Sequence, residues 1–141
     1  MFKRPMTHML YPLLVTVAMW LFAAASFAGD ISRFTTSDPN GLQAELVYDA
    51  APLRTMKQTP FTLSIRDAHG ETIRGLSLQC DMTMPAMPMP INRPKVEANS
   101  EHYTGHAVFT MAGAWQATFS GCDSGGQKIT LIFDIPKVLL K

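Results

Sequence analysis

Apolar residues in this chain recur at every second position, and no long stretch carries them at the helical spacing of three and four. Leu42, Ala44, Leu46 and Tyr48 alternate with Gln43, Glu45 and Asp49, and Phe61, Leu63 and Ile65 alternate with Thr62, Ser64 and Arg66. Side chains in a strand point to opposite faces in turn, so each run predicts a strand with one buried face. A third run sets Leu76, Leu78, Cys80, Met82 and Met84 on one face and Ser77, Gln79, Asp81 and Thr83 on the other. Tyr103, Ala107, Phe109 and Met111, then Trp115, Ala117 and Phe119, then Ile129, Leu131, Phe133 and Ile135 continue the pattern.

Turn signals separate these runs: Pro52 and Pro60 bound a loop, Asp67-Ala68-His69-Gly70 is a turn, Ala112-Gly113-Ala114 is a tight connection, and Cys122-Asp123-Ser124-Gly125-Gly126 is a hairpin loop. Short strands with turns between them predict an all-β fold, an immunoglobulin-like antiparallel β-sandwich of about seven strands, with a small open barrel as the alternative. The domain is expected over residues 42–141, preceded at 29–41 by a polar, exposed lead-in.

Ahead of the lead-in, Lys3 and Arg4 precede an apolar run from Met9 to Phe22 and the small-residue stretch Ala23-Ala24-Ala25-Ser26-Phe27-Ala28. This is the order of a secretory signal peptide, residues 1–28, cleaved before Gly29. The alternative is an uncleaved membrane anchor, since about 20 apolar residues span a bilayer. Without residues 1–28, ten basic side chains face eleven acidic ones, so the mature chain offers no basic field for nucleic acid. The expected location is the periplasm.

Two cysteines, Cys80 and Cys122, in an exported chain predict one disulfide. Strict alternation from Trp115, Ala117 and Phe119 turns Cys122 outward, so the pairing requires a bulge, which Gly121 can supply. The alternative is a thiolate–thioether copper site built on Cys80 and the neighbouring methionines.

Those methionines form the least ordinary stretch, Asp81-Met82-Thr83-Met84-Pro85-Ala86-Met87-Pro88-Met89-Pro90. A thioether is soft and never protonated, so a methionine set selects Cu(I), whereas Zn(II) prefers thiolate and imidazole. Met82 and Met84 continue the parity of Leu76 and Leu78 and also suit core packing. Met87 and Met89 lie past the last apolar pair, between prolines that offer no ladder donors, and are the leading ligand candidates. Met111, beside Trp115, suits sulfur–aromatic packing but also completes a candidate set of Met82, Met84, Met87, Met89 and Met111. His106 and His102 stand four apart on the polar parity of one strand, roughly 13 Å at strand rise, so at most one joins such a site; His106 is the candidate.

Cys80 to Pro90, then Tyr103 with Gly105, then Phe109-Thr110-Met111-Ala112-Gly113-Ala114-Trp115 resemble the YtkA-like domain, whose pattern is MPxMxMP followed by GxY and MxGxW. The likeness covers roughly Phe61 to Phe133. One departure is His102, where a glycine usually precedes the first aromatic; here Gly105 follows it. The resemblance implies an exported immunoglobulin-like sandwich, related in shape to the FixH-like proteins and associated with bacterial copper handling or efflux.

Enzyme chemistry finds no support in the sequence: there is no Ser-His-Asp arrangement, no nucleophile elbow and no phosphate-binding glycine loop. The expected function is a non-enzymatic exported domain that binds or delivers Cu(I), with a copper-handling or efflux envelope protein as partner. The alternative is an envelope protein-interaction domain that docks through its Met/Pro edge without metal.

Overall fold

The computed structural model describes residues 29–141; the expected signal peptide lies outside the described residues. Eight strands form: β1 (Ser32–Ser37), β2 (Gln43–Tyr48), β3 (Gln58–Arg66), β4 (Ser77–Thr83), β5 (Glu97–Ala98), β6 (Tyr103–Val108), β7 (Gly113–Cys122) and β8 (Lys128–Val138). They build two antiparallel sheets, β1-β2-β3-β6-β5 and β4-β7-β8. With β1 set aside, the orders β2-β3-β6-β5 and β4-β7-β8 are those of the A-B-E-D and C-F-G sheets of an immunoglobulin constant-type domain.

The alternating residues fall where the period requires. Leu46, Tyr48, Leu63, Ile65, Ala107, Phe109, Trp115, Phe119 and Phe133 are all buried between the sheets. Their rings meet edge to face, from Tyr48 to Phe61, on to Phe119 and then Phe133, with centroids 5.7–6.0 Å apart, so one aromatic chain ties both layers together. The described residues hold two sheets with one buried cluster between them.

The segment expected to be an exposed lead-in is instead β1, paired along its length with β2 from Ser32↔Tyr48 to Ser37↔Gln43. Its inward positions are Ser32, Phe34 and Thr36, all half-buried, and only Phe34 packs on the core, against Tyr48. An edge strand with a single apolar inward residue has too weak an alternation to read as a strand. β1 also touches β8, which brings the two sheets together along that side.

The expected Cys80–Cys122 disulfide does not form: both cysteines are free, Cys80 buried and Cys122 exposed. The register gives the reason. Cys122 stands opposite Ser77 and Cys80 opposite Phe119, three positions apart on neighbouring strands. An odd offset puts the two side chains on opposite faces of the sheet. No bulge occurs at Gly121, which pairs in step with Leu78 and with Ile129; the only irregularity in β7 lies between Gly113 and Trp115. Gly121 serves close approach instead, since a Cβ there would stand 2.5 Å from the Ser77 carbonyl oxygen. Gly105 has the same role in β6, where a Cβ would run into the Lys95 carbonyl and the Phe61 ring.

Candidate functional site

The chain passes through one end of the sandwich repeatedly. β4 ends there at Thr83, opposite Gln116 near the start of β7, and β3 begins there at Gln58, opposite Val108 at the end of β6. The segments at this end are therefore residues 49–57, 84–96 and 109–112, together with the start of β1 and the end of β8. Every methionine among the described residues lies on or beside them: Met56, Met82, Met84, Met87, Met89 and Met111.

Long-range hydrogen bonds hold these segments together. The Met56 N–H donates to the Phe109 carbonyl (2.8 Å), and Met82 N–H donates to the Asn92 carbonyl (2.8 Å), which covers the free edge of β4. The Asn92 side-chain amide then donates to Val108 O (2.9 Å), linking the Met/Pro segment to the end of β6. Arg93 pairs with Asp81 on the outward face of β4, and that guanidinium holds the Asp81 carboxyl below its usual range.

The candidates divide by depth. Met82 is buried, and its Sδ accepts the Tyr48 hydroxyl (3.7 Å), so it belongs to the core as its parity predicts. Met84 is buried as well, and its Cε lies 3.1 Å from where a Cβ of Gly113 would stand. With φ at +126°, Gly113 suits glycine on backbone grounds too. Past Met84 the chain turns over Pro85 and Ala86, closed by Met87 N–H to Met84 O (3.3 Å), and Met87 emerges 47% exposed. Met89 and Met111 are half-buried against the core, and the Met111 carbonyl accepts Trp115 Nε1 (2.9 Å).

Met84, Met87, Met89 and Met111 thus share one end of the fold at graded depth. His106 does not join them: it is exposed on the outer face of the five-stranded sheet, opposite Pro60, because Ala107 and Phe109 take the inward parity. Cys80 is buried in the core. Burial, with the Asp81 charge second, pushes its thiol up to about 12, which disfavours the free thiolate.

Met56 was missed by the sequence reading. It sits between Thr55 and Lys57 in the β2–β3 segment, 64% exposed, with φ at +57°. An isolated methionine in a loop gives no periodic signal; only the fold carries it to the others. Among the described residues, no three His, Cys, Asp or Glu side chains gather as a metal group.

No curated protein matches the chain. The family model of the YtkA-like domain matches residues 36–120, from within β1 almost to the end of β7, taking in the Met/Pro segment, Gly105, Gly113 and Trp115. With more than half of its length matched, and with those residues placed as described, the chain belongs to the YtkA-like family.

Proposed function

We propose that the protein is an exported, non-enzymatic domain that binds or delivers Cu(I) through the methionines at one end of its sandwich. The observation that supports this reading is the placement of Met84, Met87, Met89 and Met111 on connections at one end of the fold, with Met87 open to solvent. Soft, neutral donors fit Cu(I), and they keep that character in an acidic compartment. Thioether ligands exchange readily, which suits transfer to a copper-handling or efflux protein of the envelope better than storage. The charged, apolar and small-residue order of residues 1–28 supports export.

Anaerobic titration of residues 29–141 with Cu(I), read by sulfur X-ray absorption, tests the ligand set. Met87→Ala with Met89→Ala should weaken binding while leaving the fold intact, because Met87 is exposed and Met89 only half-buried. If the double variant binds Cu(I) as the parent does, the metal reading fails. A docking surface for another envelope protein then becomes the better account, a reading favoured by the exposure of Met56, Met87 and Ile91 at this end.

A further inference from the structure

Large apolar side chains exposed on the described surface are not scattered. Ile31, Met56, Met87, Ile91 and Leu140 all lie at the methionine end, and only Ile132, on the outer face of β8, lies elsewhere. Ile91 and Leu140 are 79% and 72% exposed. Neither has any part in the proposed metal set. Side chains this open, on separate segments of one end, are left uncovered by the described residues.

Charge is divided the same way. The segments at this end carry Arg54, Lys57, Arg93, Lys95 and Lys141 against Asp30 and Asp49. Arg93 and Lys95 are engaged by the strand carboxylates Asp81 and Glu97, while Lys57 and Arg54 form no ion pair among the described residues and border a hollow they share with Asp30 and Asp49. The connections at the opposite end carry Asp38, Asp67, Glu71, Glu101 and Asp123 against Arg74 alone. The exposed apolar side chains thus lie at the less acidic pole of the domain, away from the acidic connections.

The chain's own apolar run enters at that pole. Residues 9–28 end just before Gly29, and only Gly29–Ile31 separate them from β1, which starts at this end opposite Tyr48. Three extended residues reach roughly 10 Å. While that run remains in a membrane, the methionine end is held at the headgroups; after cleavage the exposed side chains and cations stay on the same pole.

We propose that this end docks on the surface of an anionic lipid bilayer, with Ile31, Met56, Ile91 and Leu140 entering the interface and Lys57 and Arg54 facing lipid phosphates. Interfacial attachment of this kind combines buried apolar area with attraction to anionic headgroups, and each basic side chain close to the surface contributes about fivefold in partitioning.

Flotation of residues 29–141 with vesicles of phosphatidylglycerol and phosphatidylcholine, in copper-free buffer containing a chelator, tests this independently of the metal reading. Binding should appear with the anionic vesicles at low salt, fall on raising salt toward physiological strength, and be much weaker with phosphatidylcholine alone. Lys57→Glu should reduce the partition coefficient about 25-fold, since it replaces an attraction by a repulsion of like size. Ile91→Ser should reduce it by a similar factor through lost apolar burial. Neither side chain is packed in the fold, and circular dichroism would verify that both variants remain folded. Glu101→Lys, at the opposite pole, should leave binding unchanged. Failure of the parent to float with anionic vesicles overturns the proposal, as does parent-like binding by both Lys57→Glu and Ile91→Ser. Retention by an envelope protein that these two variants abolish, without vesicle binding, would also overturn it and assign the surface to a protein.

Discussion

The two ends of the sandwich are built by different means. At the end opposite the methionines, three connections repeat one device: Asp38-Pro39-Asn40-Gly41-Leu42, Asp67-Ala68-His69-Gly70-Glu71 and Asp123-Ser124-Gly125-Gly126-Gln127. In each, the Asp carboxylate accepts the backbone N–H groups two and four residues on, at 2.8–3.0 Å. In each, the glycine at the fourth position has φ near +80° and donates its N–H back to the Asp carbonyl. Five consecutive residues contain the whole instruction. At the methionine end, Thr55 N–H reaches the Leu139 carbonyl, Met56 reaches Phe109, and Asn92 reaches Val108. One end is encoded locally; the other exists only once distant strands have met. Exposed methionines, which carry no turn instruction of their own, can stand there because hydrogen bonds between distant segments hold these connections.

The largest contrast expected is between the two thiols. Cys122 is exposed at the turn end of β7, whereas Cys80 is buried with its thiol held neutral. Native, unreduced protein should label rapidly at one cysteine with a maleimide, and the second should react only in denaturant. Two thiols that react only after reduction would mean a bridge that the β4–β7 register forbids.

Within the methionine end, depth should separate stability from function. Met82→Ala removes a fully buried side chain that also accepts the Tyr48 hydroxyl and should cost about 2–5 kcal/mol in urea unfolding. A cost near zero would show that this end is plastic down to its core.

How much of this was legible follows from the same division. The six strongest runs were visible because alternation is a local signal, and two of the three Asp turns were visible as turns. The third, at Asp38, was absorbed into a supposed lead-in because β1 offers only Phe34 as an apolar inward residue. β5, with two residues, carries no period at all. The disulfide expectation weighed cysteine count above parity, and parity was the better guide: Trp115, Ala117 and Phe119 face inward and Cys122 outward, as alternation requires. Core placement of Met82 and exposure of Met87 were readable from parity and prolines. That Met56 shares their end was not, because it depends on which strands pair.

The local turns provide the next test. Asp123→Ala removes two hydrogen bonds to backbone N–H groups in the β7–β8 hairpin and should cost about 1–2 kcal/mol. Asp38→Ala and Asp67→Ala should behave alike, since the three loops are the same structure, and their effects should add because they close separate connections. Chemical denaturation of the single and triple variants would measure both points; strong non-additivity would mean the turns are coupled through the sheets.

The smallest effect expected is at the Asp81–Arg93 pair, which fastens the return of the Met/Pro segment to the outer face of β4. Both side chains are partly exposed, so the pair should contribute only about 0.2–1 kcal/mol at neutral pH, and less at high salt. Its pH dependence has a definite sign. The Arg93 hydrogen bond, the largest influence on Asp81, holds the folded carboxyl below its ordinary value. The contribution is therefore fully present above the unfolded carboxyl's pKa, about 3.9, and is lost as pH falls through the lower folded value. Comparing the parent with Arg93→Ala by denaturant unfolding from pH 7 to pH 2, the gap between them should be constant down to about pH 5 and close below that. A gap that persists at the acid extreme would show that Arg93 holds the segment by packing its side-chain methylenes, not by its charge. The methionine end would then be fastened by apolar contact even at its rim.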